Sequence, residues 1–107
     1  MCNSLISRRN PTNIRDLKPG MSRVDLDVKV AEVSEPREIV AGGGRRRIRE
    51  LRVEDETGSM TLVLWDEKSL QNVRVGDHLR IRNGFVTSYK GDWRINVGRY
   101  GEVIRNP

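Results

Sequence analysis

A chain of 107 residues has room for one ordinary hydrophobic core, and with 36% apolar and 33% charged residues that core must lie beneath a densely charged surface. A single cysteine, Cys2, and a single histidine, His78, exclude an intrachain disulfide and an ordinary Cys/His zinc site, so no metal or other cofactor is expected. The net charge of +5 rests on 16 Arg against 4 Lys, and because the planar guanidinium both forks onto phosphate and stacks on bases, a polyanionic partner is the first expectation.

Residues 1–12 are polar, carry Arg8, Arg9 and Pro11, and show no periodicity, which predicts a flexible arm; residues 13–105 are expected to form the folded domain. Asn13 to Leu17 suits one helical turn, capped by Asn13 and stopped by Pro19-Gly20, that plugs an end of the domain. Val24, Leu26, Val28 and Val30 then alternate with Asp25, Asp27 and Lys29, the pattern of a half-buried strand, and the slip at Ala31-Glu32-Val33 predicts a bulge. Pro36 to Gly44 reads as a loop ending in three glycines.

A second strand is predicted over Arg45–Glu54 and a third over Met60–Trp65, with Leu51, Val53, Leu62 and Leu64 inward. Asp55-Glu56-Thr57-Gly58 joins them as a tight turn, Gly58 supplying a positive φ. Asp66 to Val73 reads as a short helical connector that packs Leu70 and Val73 against the domain end. The fourth strand places Leu79 and Ile81 inward and shifts period at Asn83-Gly84, after which Val86 faces in and Phe85 out. A loop centred on Lys90-Gly91 leads to the fifth, where Trp93, Ile95 and Val97 alternate with Arg94 and Asn96. Short strands with one helical connector between the third and fourth give an all-β, five-stranded Greek-key OB barrel; an SH3-like barrel competes but usually lacks the connector.

Strand parity puts Trp65 with Thr61 and Val63 on the face away from the core, where an indole needs a cover: a nucleobase, or the following connector. Phe85 and Tyr89 repeat the theme, the bulge exposing Phe85 and Tyr89 lying at the loop beside Lys90-Gly91, while Trp93 shares parity with Ile95 and Val97 and reads as core or barrel rim. Between Arg37 and Arg52, six arginines (Arg37, Arg45, Arg46, Arg47, Arg49 and Arg52) meet Glu38 and Glu50 for a local net charge of +4. This charge falls on the first loop and second strand, where an OB fold receives nucleic acid; taken singly, the same arginines would serve as a solvated hairpin. Asp55-Glu56 has no third ligand, the glycine triplet lacks a following Lys-Ser or Lys-Thr pair, and His78 has no nucleophile in register, so no catalytic activity is expected.

At these residues the sequence resembles the archaeal single-OB single-stranded DNA-binding proteins of the crenarchaeal type, which are similar to the human single-OB protein of the DNA-damage sensor complex. The matching stretches are Asp16 to Met21, Val30 to Ile39, Asp55-Glu56-Thr57-Gly58, Leu62-Val63-Leu64-Trp65 and Tyr89-Lys90-Gly91. The resemblance implies base stacking at Trp65, Phe85 and Tyr89, although the family often has Trp where Phe85 stands and Phe where Tyr89 stands. It also implies strand-backbone contacts near Arg37, Ile39 and Lys90, to which the basic cluster adds Arg45, Arg46, Arg47 and Arg49. Relatives often carry a polar tail that recruits other proteins, which makes replication and repair proteins the expected partners of a domain that is itself a monomer.

The function this implies is protection of single-stranded DNA in replication, recombination and repair, largely without regard to base sequence. Two other readings stand beside it: an RNA-binding OB domain, since stacking is indifferent to the sugar, and an OB domain whose exposed aromatics form a protein interface. No apolar run approaches the ~20 residues of a membrane span and Met1 to Asn10 has no signal-peptide core, so the expected location is the cytoplasm with the nucleoid, or a nucleus.

Overall fold

A computed structural model describes residues 12–106. The predicted arm, residues 1–12, lies outside the described residues except for Thr12, whose N–H donates to the Asp25 carbonyl at 2.9 Å. Seven strands follow in chain order: β1 Val24–Val33, β2 Arg37–Ala41, β3 Gly44–Asp55, β4 Gly58–Trp65, β5 His78–Tyr89, β6 Asp92–Val97 and β7 Glu102–Asn106.

Five of them close a ring. The order β1-β3-β4-β6-β5 returns to β1 because β1 pairs with both β3 and β5, so every strand of the ring has two hydrogen-bonded neighbours within it. All its contacts are antiparallel except β4 with β6, where Thr61 to Leu64 run beside Arg94 to Val97 in parallel. This is the order expected of an OB fold, and it corresponds to the five strands predicted. Two strands were not expected. The segment read as a loop contains β2, which pairs with β3 alone from Arg37↔Ile48 to Ala41↔Gly44, and β7 adds to the other side of β5. Neither shows a run of alternating buried positions, because neither faces the core along its length.

The core follows from alternation. Leu26, Val30, Val53, Leu62, Leu64, Ile81, Ile95 and Val97 point into the ring and are fully buried, each side chain contributing about 1.5–3 kcal/mol by leaving water. The predicted bulges are present: register slips between Val30 and Glu32 against β3, and between Val24 and Leu26 against β5, opposite Asn83-Gly84. Asn83 takes the positive φ of 58°, while Gly84 is needed for space, since a Cβ there would lie 3.0 Å from Ile95 Cδ1 and 3.1 Å from the Asn96 carbonyl.

The N-terminal plug is a 3-10 turn, Ile14–Asp16, that sends Ile14 and Leu17 into the core. Its cap differs from the expectation: the Asn13 side chain makes no capping bond, and the Ile14 N–H donates instead to Asp55 Oδ2 at 2.9 Å. The other Asp55 oxygen accepts from the N–H and hydroxyl of Thr57, each at 2.6 Å, and from the Gly58 N–H at 3.2 Å. The β3–β4 turn is therefore closed by a carboxylate, and Gly58 is not among the glycines with positive φ. The connector after β4 is a short 3-10 helix, Asp66–Leu70; Val73 is buried as expected, but Leu70 is 60% exposed because the turn carries it away from the ring. Trp93 is at the rim and not in the core: it is 47% exposed, since its inward parity falls at the end of the sheet beyond the packed layers.

Candidate nucleic-acid interface

The outer face of β3, β4 and β6 carries a second apolar layer. Ile48 and Val63 are 3% and 2% exposed, yet they lie outside the core and floor an open groove of about 450 Å3. Trp65 stands on this face beside Ile48, its register partner, and is half-buried. No residue of the Asp66–Leu70 connector lines the groove beside it. The Arg46 guanidinium lies 5.1 Å from the indole centroid and is itself clamped to the Asp66 carboxylate, with Nε 3.0 Å from both oxygens.

Asn96 organises the groove from below. It is 3% exposed, accepts the Trp65 Nε1–H on Oδ1 at 3.0 Å, and donates Nδ2–H to the Phe85 carbonyl at 3.2 Å and to Thr87 Oγ1 at 3.0 Å. One buried amide thus orients the indole from β4 and ties it to β5, a role that β6 alternation alone did not reveal. Phe85 sits across from Asn96 on the same face, 39% exposed, beside but not lining the groove. Tyr89 lines it and is 58% exposed, with Lys90 Nζ 5.4 Å and the Arg94 guanidinium 5.5 Å from its ring centroid.

The arginines divide by parity. Arg37 and Ile39 of β2 line the groove, and Arg46 flanks it. Alternation carries Arg45, Arg47 and Arg49 to the opposite face of β3, and none of the three lines the groove. Arg45 pairs with Glu38 at 3.5 Å, while Arg49 donates to the carbonyls of Ser34 and Gln71, both at 2.9 Å, as a staple between the β1–β2 link and the connector. Arg94, whose place was open from sequence, lines the groove instead. Glu50 holds it at 2.8 Å and Arg37 at 3.3 Å, so one carboxylate fixes two arginines on one wall.

Arg46 holds the Asp66 carboxyl below its ordinary range, chiefly by hydrogen bonding, against a smaller opposing push from burial. Among the described residues there is no cluster of metal-ligating side chains. What the face offers is flat aromatic surface, an apolar floor and arginines on both sides: a surface suited to bases and phosphates together.

The family model described as "Single-stranded DNA binding protein Ssb-like, OB fold" matches residues 17–105. The chain belongs to this family. This Ssb-like chain is 39% identical over 85 residues to the single-stranded DNA binding protein Ssb of Saccharolobus solfataricus, covering 79% of this chain and 57% of that protein. It is 28% identical over 96 residues to replication factor A of Methanothermobacter thermautotrophicus, covering 90% of this chain and 12% of that protein. The Ssb-like chain thus spans little more than half of one relative and a small part of the other. Among solved structures, the second OB-fold domain of replication protein A from Methanococcus maripaludis superposes with a TM-score of 0.75 at 24% identity, covering 90% of this chain and 96% of that one, a likeness of fold.

Proposed function

We propose that this domain binds single-stranded DNA without catalysing a reaction on it, and that it shields exposed strands during replication, recombination and repair. The observation that carries the reading is the groove itself. Trp65 and Tyr89 line it together with Arg37 and Arg94, and Phe85 lies alongside, so bases have rings to stack on while phosphates have guanidinium partners. Stacking and phosphate contacts are indifferent to the identity of the base, which fits binding with little sequence preference. The relative named a single-stranded DNA binding protein favours DNA over RNA as the ligand. A domain of this kind works wherever strands are opened, with the nucleoid or in a nucleus, beside the proteins of replication and repair.

In this reading Trp65, Phe85 and Tyr89 stack on bases. Arg37, Arg46, Arg94 and Lys90 meet the backbone, with Ile39 packing against it. Arg45, Arg47 and Arg49 contribute at longer range through the field of the hairpin. Titrating oligothymidine into the protein and into Trp65→Ala, read by anisotropy at two salt concentrations, tests it. Loss of about 5- to 150-fold in affinity is expected, since stacking is worth about 1–3 kcal/mol per base. Unchanged affinity in Trp65→Ala would remove the groove from consideration, and a matched RNA that competes equally would overturn the preference for DNA.

A further inference from the structure

The groove does not end at Arg94. That residue also lines a neighbouring concavity of about 240 Å3 with Thr61 and Arg52, and Arg52 in turn lines a third, of about 360 Å3, in which Trp93, Arg15 and Met60 lie. Two shared arginines therefore join three concavities into one track from Trp65 and Tyr89 to the rim at Trp93.

Three features of the far end fit a nucleotide. Trp93 leaves 47% of its surface in water beside Met60, which is itself only 6% exposed, so a flat ring stands on a packed base. Arg52 donates only to hydroxyls, Ser59 at 3.1 Å and Thr61 at 3.5 Å, and has no carboxylate partner among the described residues. No carboxylate clamps it as Arg37, Arg46 and Arg94 are clamped, although its register partner Glu32 lines the same concavity and Glu50, also there, is committed to Arg37 and Arg94. The acidic group that shares the rim, Asp92, is engaged by Arg94 at 3.3 Å.

The geometry points to Trp93 as a further stacking site for the same single strand, reached past Arg94 and Arg52, so that the strand's path continues from the groove onto the rim beside the N-terminal plug. This rests on the proposed DNA-binding role of the groove. The occupant is a nucleotide rather than a protein because the track is continuous with the groove and each of its three parts holds two arginines, which outnumber the carboxylates except in the middle, where Glu32 and Glu50 also lie.

The sequence contains two tryptophans, which makes the test direct. Trp65→Phe leaves Trp93 as the one indole, and Trp93→Phe leaves Trp65. Both are titrated with oligothymidines spanning about 4 to 16 nucleotides, the range for one OB fold. The expected result is quenching of Trp65 by every length and of Trp93 only by the longer ones. Trp93→Ala should weaken the longest oligonucleotide by about five- to tenfold, leave the shortest unchanged and keep its thermal midpoint, with Trp93→Phe close to the parent. If Trp65 is quenched while Trp93 responds to no length, the strand stops in the groove; the rim site falls and the groove reading stands. If no oligonucleotide binds, the groove reading falls and the rim site with it.

Discussion

The Trp65 indole N–H and the Asn96 side-chain oxygen meet at 3.0 Å, joining neighbouring strands across the parallel pair of the ring. Asn96 is buried, and its amide nitrogen is also committed, so its removal leaves several polar groups without partners. Asn96→Leu should cost about 1–3 kcal/mol in stability by denaturant titration. It should also free the indole to change rotamer, seen as a shift in Trp65 emission in a Trp93→Phe background, and weaken oligothymidine binding about fivefold or more. A loss of stability with unchanged Trp65 emission would mean that Asn96 does not orient the ring.

Asp66 neutralises Arg46 at the edge of the groove. Replacing it by Asn keeps the shape of the clamp but returns a cation to the edge of the groove, so affinity at low salt should rise. The dependence of log K on log salt should steepen by up to about 0.7, the value for one more phosphate contact on a single strand. Parallel salt titrations of parent and Asp66→Asn measure both; an unchanged slope would show that Arg46 stays away from the backbone.

Asp55 sets a pH dependence. Burial pushes its carboxyl up, but hydrogen bonds from the Thr57 side chain and from the Ile14, Thr57 and Gly58 N–H groups outweigh this, and the net shift is downward from 3.8. A carboxylate whose value is depressed on folding contributes stability that is present above the unfolded value and lost as pH falls through the folded one. Thermal midpoints should therefore drop below about pH 4, and Asp55→Asn should be less stable at neutral pH but show a shallower acid drop.

Gly84 has no room for a methyl group, with Ile95 and the Asn96 backbone at 3.0 and 3.1 Å from the position a Cβ would take. Gly84→Ala should destabilise the domain by about 1–3 kcal/mol through overpacking. Asn83→Gly next to it relieves a positive φ and should cost little or stabilise. Urea midpoints of the two variants distinguish crowding from backbone strain.

The ring was legible because each of its strands turns one alternating set of side chains into the core. The alternation of Val24 to Val30, the slip at Asn83-Gly84 and the outward parity of Trp65 and Phe85 all follow from the period of two. β2 and β7 escaped because they hang on single partners, where pairing leaves little mark on hydrophobicity. Trp93 shows the limit of parity: alternation says which face a side chain leaves from, not whether the core extends that far. The arginines show another. Their density was visible, but which carboxylate each meets depends on strands distant in sequence, as when Glu50 reaches Arg94. Asn96 was hidden for the same reason, since its partners arrive from β4 and β5.

Two of the strands beneath the groove are strangers in the chain: β4 and β6 lie side by side, but Trp65 and Asn96 are 31 positions apart. No peptide cut from this sequence can carry the site, because half of its surface comes from each side of the closure. On the proposed function, occupancy and integrity become one equilibrium, and a strand bound there would act as a clasp that resists unfolding of the entire ring.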